Sequence, residues 1–160
     1  MYLFLSSLVI FFFIKVRKKF LIYSLLHRSK VIYKDEKGAR TFYSKKYHVS
    51  ARPDKIVLYK GHVYVLEFKS RAGAVYHADI VQALVGLLAY YDNVNGIAYA
   101  VSYNSKYKFK IKKIKNETYL LKLTEKAINR AKKVKMSRKV SRPFFKGDCS
   151  ACIYSENCKR

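Results

Sequence analysis

Two residues, Lys60-Gly61, constrain this chain more than any others, because they separate two runs of alternating apolar residues and can close them into a hairpin. A two-residue connection demands positive φ at its central positions, which glycine accepts readily. With that register, Val57, Tyr59, Tyr64, Leu66 and Phe68 share one face, and Asp54, Ile56, Leu58, Val63, Val65, Glu67 and Lys69 share the other. Both faces are largely apolar, so the hairpin belongs to a sheet covered on both sides. The same register sets Asp54 opposite Glu67 at the end of an apolar face. Opposed like charges repel, and this chain has only 10 Asp and Glu with which to make such a pair. A divalent cation between them would give the pair a reason. Hard cations such as Mg²⁺ or Mn²⁺ take oxygen ligands, and Lys69, two residues beyond Glu67, points to the same side. The competing explanation is a solvated Glu67–Lys69 pair at a strand end.

Around the hairpin the pattern is α/β. Short β-like pieces at Val31–Tyr33 and Thr41–Tyr43 flank a polar turn, and apolar residues at helical spacing predict a helix over 78–91 that ends at Asn93 to Gly96. Strands follow at 96–103 and 107–114, the second with Lys108, Lys110 and Lys112 on one side, and then a basic helix over 117–134.

Charge limits the partners. The chain carries 34 Lys and Arg, for a net charge of +24, which calls for a polyanion, either nucleic acid or an anionic membrane surface. Residues 104–146 hold sixteen Lys and Arg against two Glu, which makes this stretch the expected nucleic-acid track. The 51% hydrophobic content of the 160 residues excludes a disordered chain and fits one principal domain.

The ends differ from the middle. Residues 2–14 are uncharged and apolar, with Lys15, Arg17, Lys18 and Lys19 directly after them. This predicts a short N-terminal membrane anchor with the rest of the protein on the cytoplasmic side. A buried first helix running through Leu21, Ile22, Leu25 and Leu26, in a cytoplasmic protein, is the alternative. All three cysteines, Cys149, Cys152 and Cys158, lie in the last twelve residues. Their spacing suits a metal or cluster clip rather than a disulfide framework.

A strand with Pro53-Asp54, a strand with Glu67-Phe68-Lys69, a helix with Gln82 and a three-cysteine tail together resemble the PD-(D/E)XK nucleases of RecB type. Among these the chain is most similar to the CRISPR-associated exonucleases of the Cas-four family, from about Val31 to Cys158. The segment Phe42 to Asp54 is similar to the one preceding the catalytic aspartate in members that carry an N-terminal anchor. The resemblance implies a restriction-endonuclease-like core, a mixed central sheet flanked by helices. It also implies a hydrophobic helix over 1–26, a nuclease domain over 27–146 and a cysteine tail over 147–160. It makes Asp54, Glu67 and the Phe68 carbonyl ligands of Mg²⁺ or Mn²⁺, Lys69 the catalytic lysine and Gln82 a helix residue that helps position the site. Cys149, Cys152 and Cys158 would bind a [4Fe-4S] cluster, or Zn²⁺. The implied activity is exonucleolytic hydrolysis of single-stranded DNA or duplex ends, in CRISPR adaptation alongside its partner proteins or in DNA repair. A catalytically inactive, membrane-tethered DNA-binding protein of the same fold is the alternative.

The chain departs from the family in two places. Gly86 stands where the Gln-x-x-x-Tyr motif has tyrosine, and no fourth cysteine lies near the start of the nuclease domain, so either another residue, such as His27 or His48, completes a cluster, or the cluster is labile, replaced by Zn²⁺, or absent. The upstream metal ligand is open among His27, Asp35, Glu36 and His48.

Overall fold

The computed structural model describes residues 16–17, 19–91 and 96–137. The apolar run 2–14 and the tail with Cys149, Cys152 and Cys158 lie outside the described residues, as do positions 93–95 of the predicted helix stop. The chain divides into two compact units, residues 1–124 and 125–160.

In the first unit, a helix at residues 19–27 (α1) leads into β1 (Lys30–Lys34). The small strands β2 (Phe42–Ser44) and β3 (Val49–Ala51) pair only with each other. Next come β4 (Lys55–Tyr59), β5 (His62–Lys69) and the helix α2 (His77–Tyr90). Then β6 (Ala98–Asn104), β7 (Phe109–Ile114) and the start of α3 (Glu117–Ser137) complete the order. The main sheet runs β1-β4-β5-β6-β7. Its one parallel pair is β5 with β6; every other pair is antiparallel. The fold is therefore α/β, with a mixed central sheet flanked by helices.

The hairpin has the register read from the sequence, with Lys55 opposite Leu66 and Tyr59 opposite His62. Lys60 and Gly61 both adopt positive φ, 49° and 75°, as a type I′ turn requires. One face of the sheet packs Val57, Tyr64, Leu66 and Val101 against Ile22 and Leu25 of α1. These two residues, three apart on α1, are therefore part of the sheet's core. The expectation of a hydrophobic anchor helix extending through residue 26 is corrected here: residues 19–27 form the buried first helix, because their apolar stripe covers the hairpin. No described helix is long and apolar enough to cross a membrane.

α2 covers the opposite face. Its Gly86 lies so close to the sheet that a Cβ there would stand 3.3 Å from both Pro53 Cβ and Val65 Cγ1. Glycine at this position thus has a packing cause. In the second unit, residues 125–137 continue as a helix bearing Lys126, Arg130, Lys132, Lys133 and Lys135.

Candidate active site

The C-terminal end of β5 carries the site. Glu67 is only 3% exposed although it is a carboxylate, and its Oε1 accepts a hydrogen bond from Lys69 Nζ at 2.8 Å. The same ammonium donates to Gln82 Oε1 at 2.7 Å. Strand alternation sends Glu67 and Lys69 to the α2 side, and the second turn of α2 presents Gln82 to them. Three of the residues singled out from sequence therefore converge around one nitrogen.

Asp54 is close by but differently placed from the expected arrangement. The β4–β5 ladder ends at Lys55–Leu66, and Asp54 sits in a bend just before it. Its carbonyl accepts from the Asp35 N–H at 2.9 Å, while its Oδ2 accepts from the Phe68 N–H at 2.5 Å. The expectation that Asp54 stands directly across from Glu67 as a ladder pair is thus corrected. Its carboxylate takes the place of a strand carbonyl and caps the end of β5. Phe68 turns to the other face, where its ring is 42% exposed and 5.3 Å from the ring of Tyr103.

Burial pushes the Glu67 carboxyl above the usual carboxylate range; the Lys69 hydrogen bond acts downward, and the charges of Asp54 and Asp79 add to the upward shift. Burial, followed by the charges of Asp54, Tyr107 and Glu67, also raises the Tyr103 phenol. Such carboxylate crowding is typical of sites that handle cations or protons.

Sequence reasoning missed three supporting residues. Asp79 is buried on the first turn of α2, where it accepts from the Tyr76 N–H at 2.7 Å and pairs with Arg71. Burial acts upward on it, but Arg71 and the Tyr76 N–H outweigh this and hold its carboxyl below the usual range. Asn104 is buried at the end of β6, donates to the Gly73 carbonyl at 2.5 Å and accepts from the Lys106 and Lys108 N–H groups at 3.0 Å each. Asp79 and Asn104 together hold the 70–76 loop that joins Lys69 to α2. Ser102, fully buried, pairs in register with Glu67, and its Oγ has no hydrogen-bond partner among the described residues. Only Asp79 had a readable signal, an acid three residues after the start of a helix.

The four candidate upstream ligands are engaged elsewhere. His27 packs on Tyr23, Asp35 pairs with Arg52, Glu36 pairs with Lys34, and His48 Nδ1 lies 3.3 Å from the Tyr43 hydroxyl. Among the described residues no three His, Cys, Asp or Glu side chains group as they would around a metal ion. Asp54 and Glu67 do fit a divalent ion of the Mg²⁺ kind, which commonly takes one or two carboxylates and completes its shell with water and substrate phosphate. The buried, unpartnered Ser102 hydroxyl beside Glu67 fits a hydrated ion as well.

No protein-family model matches the chain, and no curated protein matches it. Among solved structures it is similar to the crystal structure of SSO0001, with a TM-score of 0.42 and 17% identity over 90% of this chain and 68% of that chain.

Proposed function

We propose that this protein is a metal-dependent deoxyribonuclease with a PD-(D/E)XK, restriction-endonuclease-like core. The observation that carries the reading is the convergence of Glu67, Lys69 and Gln82 beside Asp54, at the carboxyl ends of the parallel strands β5 and β6. Open α/β sheets place their ligands at such ends. A bound Mg²⁺ or Mn²⁺ would supply phosphoryl polarisation and a water nucleophile of lowered pKa. Asp54 and Glu67 would hold it, the first already oriented by the Phe68 N–H and the second by Lys69. Lys69, anchored on two acceptors, would aim its remaining N–H at the attacking water or at charge developing on the phosphoryl oxygens. Gln82 would keep the ammonium from collapsing onto Glu67 alone, which makes it a positioning residue in this scheme.

Exonuclease action on single strands or duplex ends, a place in CRISPR adaptation or DNA repair, and a cysteine-bound [4Fe-4S] cluster or Zn²⁺ belong to the same reading through the family resemblance. Residence at the cytoplasmic face of a membrane is supported by the outer side of α1 and the residues before it. There Val16, Phe20 and Tyr23 are about half exposed, beside Arg17, Lys19 and Arg28.

The deciding assay follows labelled single- and double-stranded DNA with Mg²⁺, Mn²⁺ or EDTA. Wild type cleaves only with metal, and folded Asp54→Ala and Lys69→Ala proteins lose at least a hundredfold in rate, in line with the loss of a metal ligand or a charge-stabilising donor. Cleavage by these variants at the wild-type rate, or DNA binding by wild type with no metal-dependent cleavage, overturns the reading.

A further inference from the structure

Among the described residues β7 is one edge of the main sheet and β1 the other. Lys108, just before β7, and Lys110 and Lys112 within it fall at alternate positions, so their side chains leave one face about 6.7 Å apart along the strand. That face is the catalytic one. Glu67 pairs with Ser102, and Ser102 pairs with Lys110, which puts the Lys110 and Glu67 backbones two strand spacings, about 10 Å, apart in a single row.

These lysines have little to neutralise them. Among the described residues, Asp35, Glu36, Glu67, Asp79 and Glu117 are each paired with other cations, and the Tyr119 ring lies 6.0 Å from Lys112 Nζ. Together with Lys19, Ile80, Tyr107, Phe109 and Ile111 the three lysines line a groove of about 800 Å³ that wraps the β7 edge, Phe109 and Ile111 on its α1 side. Tyr107 is more than half exposed and is held at φ 54° in a turn that Asn104 builds. The groove therefore combines unmatched positive charge at regular spacing with an exposed ring, the two elements that bind unpaired nucleic acid.

We propose that the β7 edge is a binding rail for a single DNA strand, with Lys108, Lys110 and Lys112 on successive phosphates and Tyr107 stacked on a base, leading that strand to the Glu67 end of the sheet. The proposal deepens the nuclease reading and rests on it for the direction of travel, but the rail itself needs no catalysis. Lysines on an edge strand also guard against edge-to-edge pairing, and the test separates these roles.

Binding of the full chain to fluorescein-labelled oligo(dT) is measured by anisotropy in EDTA over a KCl series. The variant Lys108→Gln/Lys110→Gln/Lys112→Gln is compared with Lys30→Gln/Lys37→Gln/Lys60→Gln, which loses the same charge from exposed positions off this edge. Each phosphate contact on a single strand contributes about 0.7 to the log–log salt slope, so the rail variant loses about 2 from the slope and the control keeps it. Tyr107→Ala weakens binding severalfold at an unchanged slope. Equal slopes in the two triple variants overturn the rail. So does a rail variant that self-associates while binding oligo(dT) like wild type, or one that loses only its affinity for phosphatidylserine vesicles. Wild-type cleavage with Mn²⁺, scored separately, reports on the nuclease reading whichever way the rail is decided.

Discussion

Replacing Gly86 with alanine sets two known energies against each other. In the interior of α2, alanine is favoured over glycine by about 0.8–1.0 kcal/mol. Against this, the new methyl would lie 3.3 Å from Pro53 Cβ and from Val65 Cγ1 and 3.7 Å from Pro53 Cγ, where unstrained carbons keep about 3.5–4.0 Å. Neither neighbour yields cheaply, since the Pro53 carbons belong to a ring and Val65 is a fully buried, β-branched residue on a central strand. Overpacking of this kind costs about 1–3 kcal/mol, which leaves a net destabilisation of about 0–2 kcal/mol. For a chain of this size that is a fall in Tm of up to roughly 8 °C. The helix relieves the contact by moving outward a few tenths of an ångström, and Gln82, one turn earlier, moves with it and stretches its 2.7 Å bond to Lys69. Cleavage should therefore fall severalfold, with the loss in kcat rather than KM. Circular dichroism melts and urea titrations give the stability, and single-turnover cleavage gives the rate. A Gly86→Ala protein that gains about 1 kcal/mol and cleaves like wild type would show that α2 is not held at this distance. A larger side chain at this position would have to displace the helix.

Other outcomes follow from the buried polar groups. Because burial raises the Glu67 carboxyl in the folded state, its contribution to stability is present below the ordinary glutamate value of 4.5 and is lost as pH rises through the raised folded value. Glu67→Gln should therefore be more stable than wild type at pH 7, flatten the pH–stability curve above 4.5 and abolish cleavage; parallel curves for the two proteins would contradict the assignment. Ser102→Ala and Ser24→Ala each remove a buried hydroxyl without a partner among the described residues, and each should raise stability by about 1 kcal/mol. A loss of stability in either would reveal a hydrogen bond that this geometry does not contain.

What could be read from the sequence was local. The hairpin register was legible because turn chemistry and strand alternation act over a few residues, and Lys60-Gly61 meets both requirements. The apolar spacing of α2 was legible for the same reason, with its start misplaced by one residue. Asp54 was found but not its geometry, since the bend that turns it onto the Phe68 N–H adjoins the pairing of β1 with β4, which joins residues as distant as Lys30 and Leu58. Lys69 and Gln82 were linked by resemblance to a family, not by any pattern in this chain. Ser102 and Asn104 gained their roles only from the crossover that sets β6 beside β5, whereas the partners of Asp79, Arg71 and the Tyr76 N–H, are local. The three-residue strand β3 is too short to show a period. Gly86 looked like a loss from a motif until the approach of Pro53 gave it a purpose.

The crossover also has a kinetic consequence. A two-residue hairpin can close in about 1–10 μs, so Asp54 and Glu67 can become neighbours early, while both are still hydrated and their repulsion is weak. The parallel β5–β6 pairing has to wait until the whole of α2 has been threaded between its strands, and contacts so distant in sequence form slowly. Desolvation of Glu67 and capture of Lys69 by Gln82 then belong to the last stage of folding. Contacts absent from the transition state act on the unfolding rate, so the lysine clamp should govern how slowly the protein comes apart more than how fast it assembles.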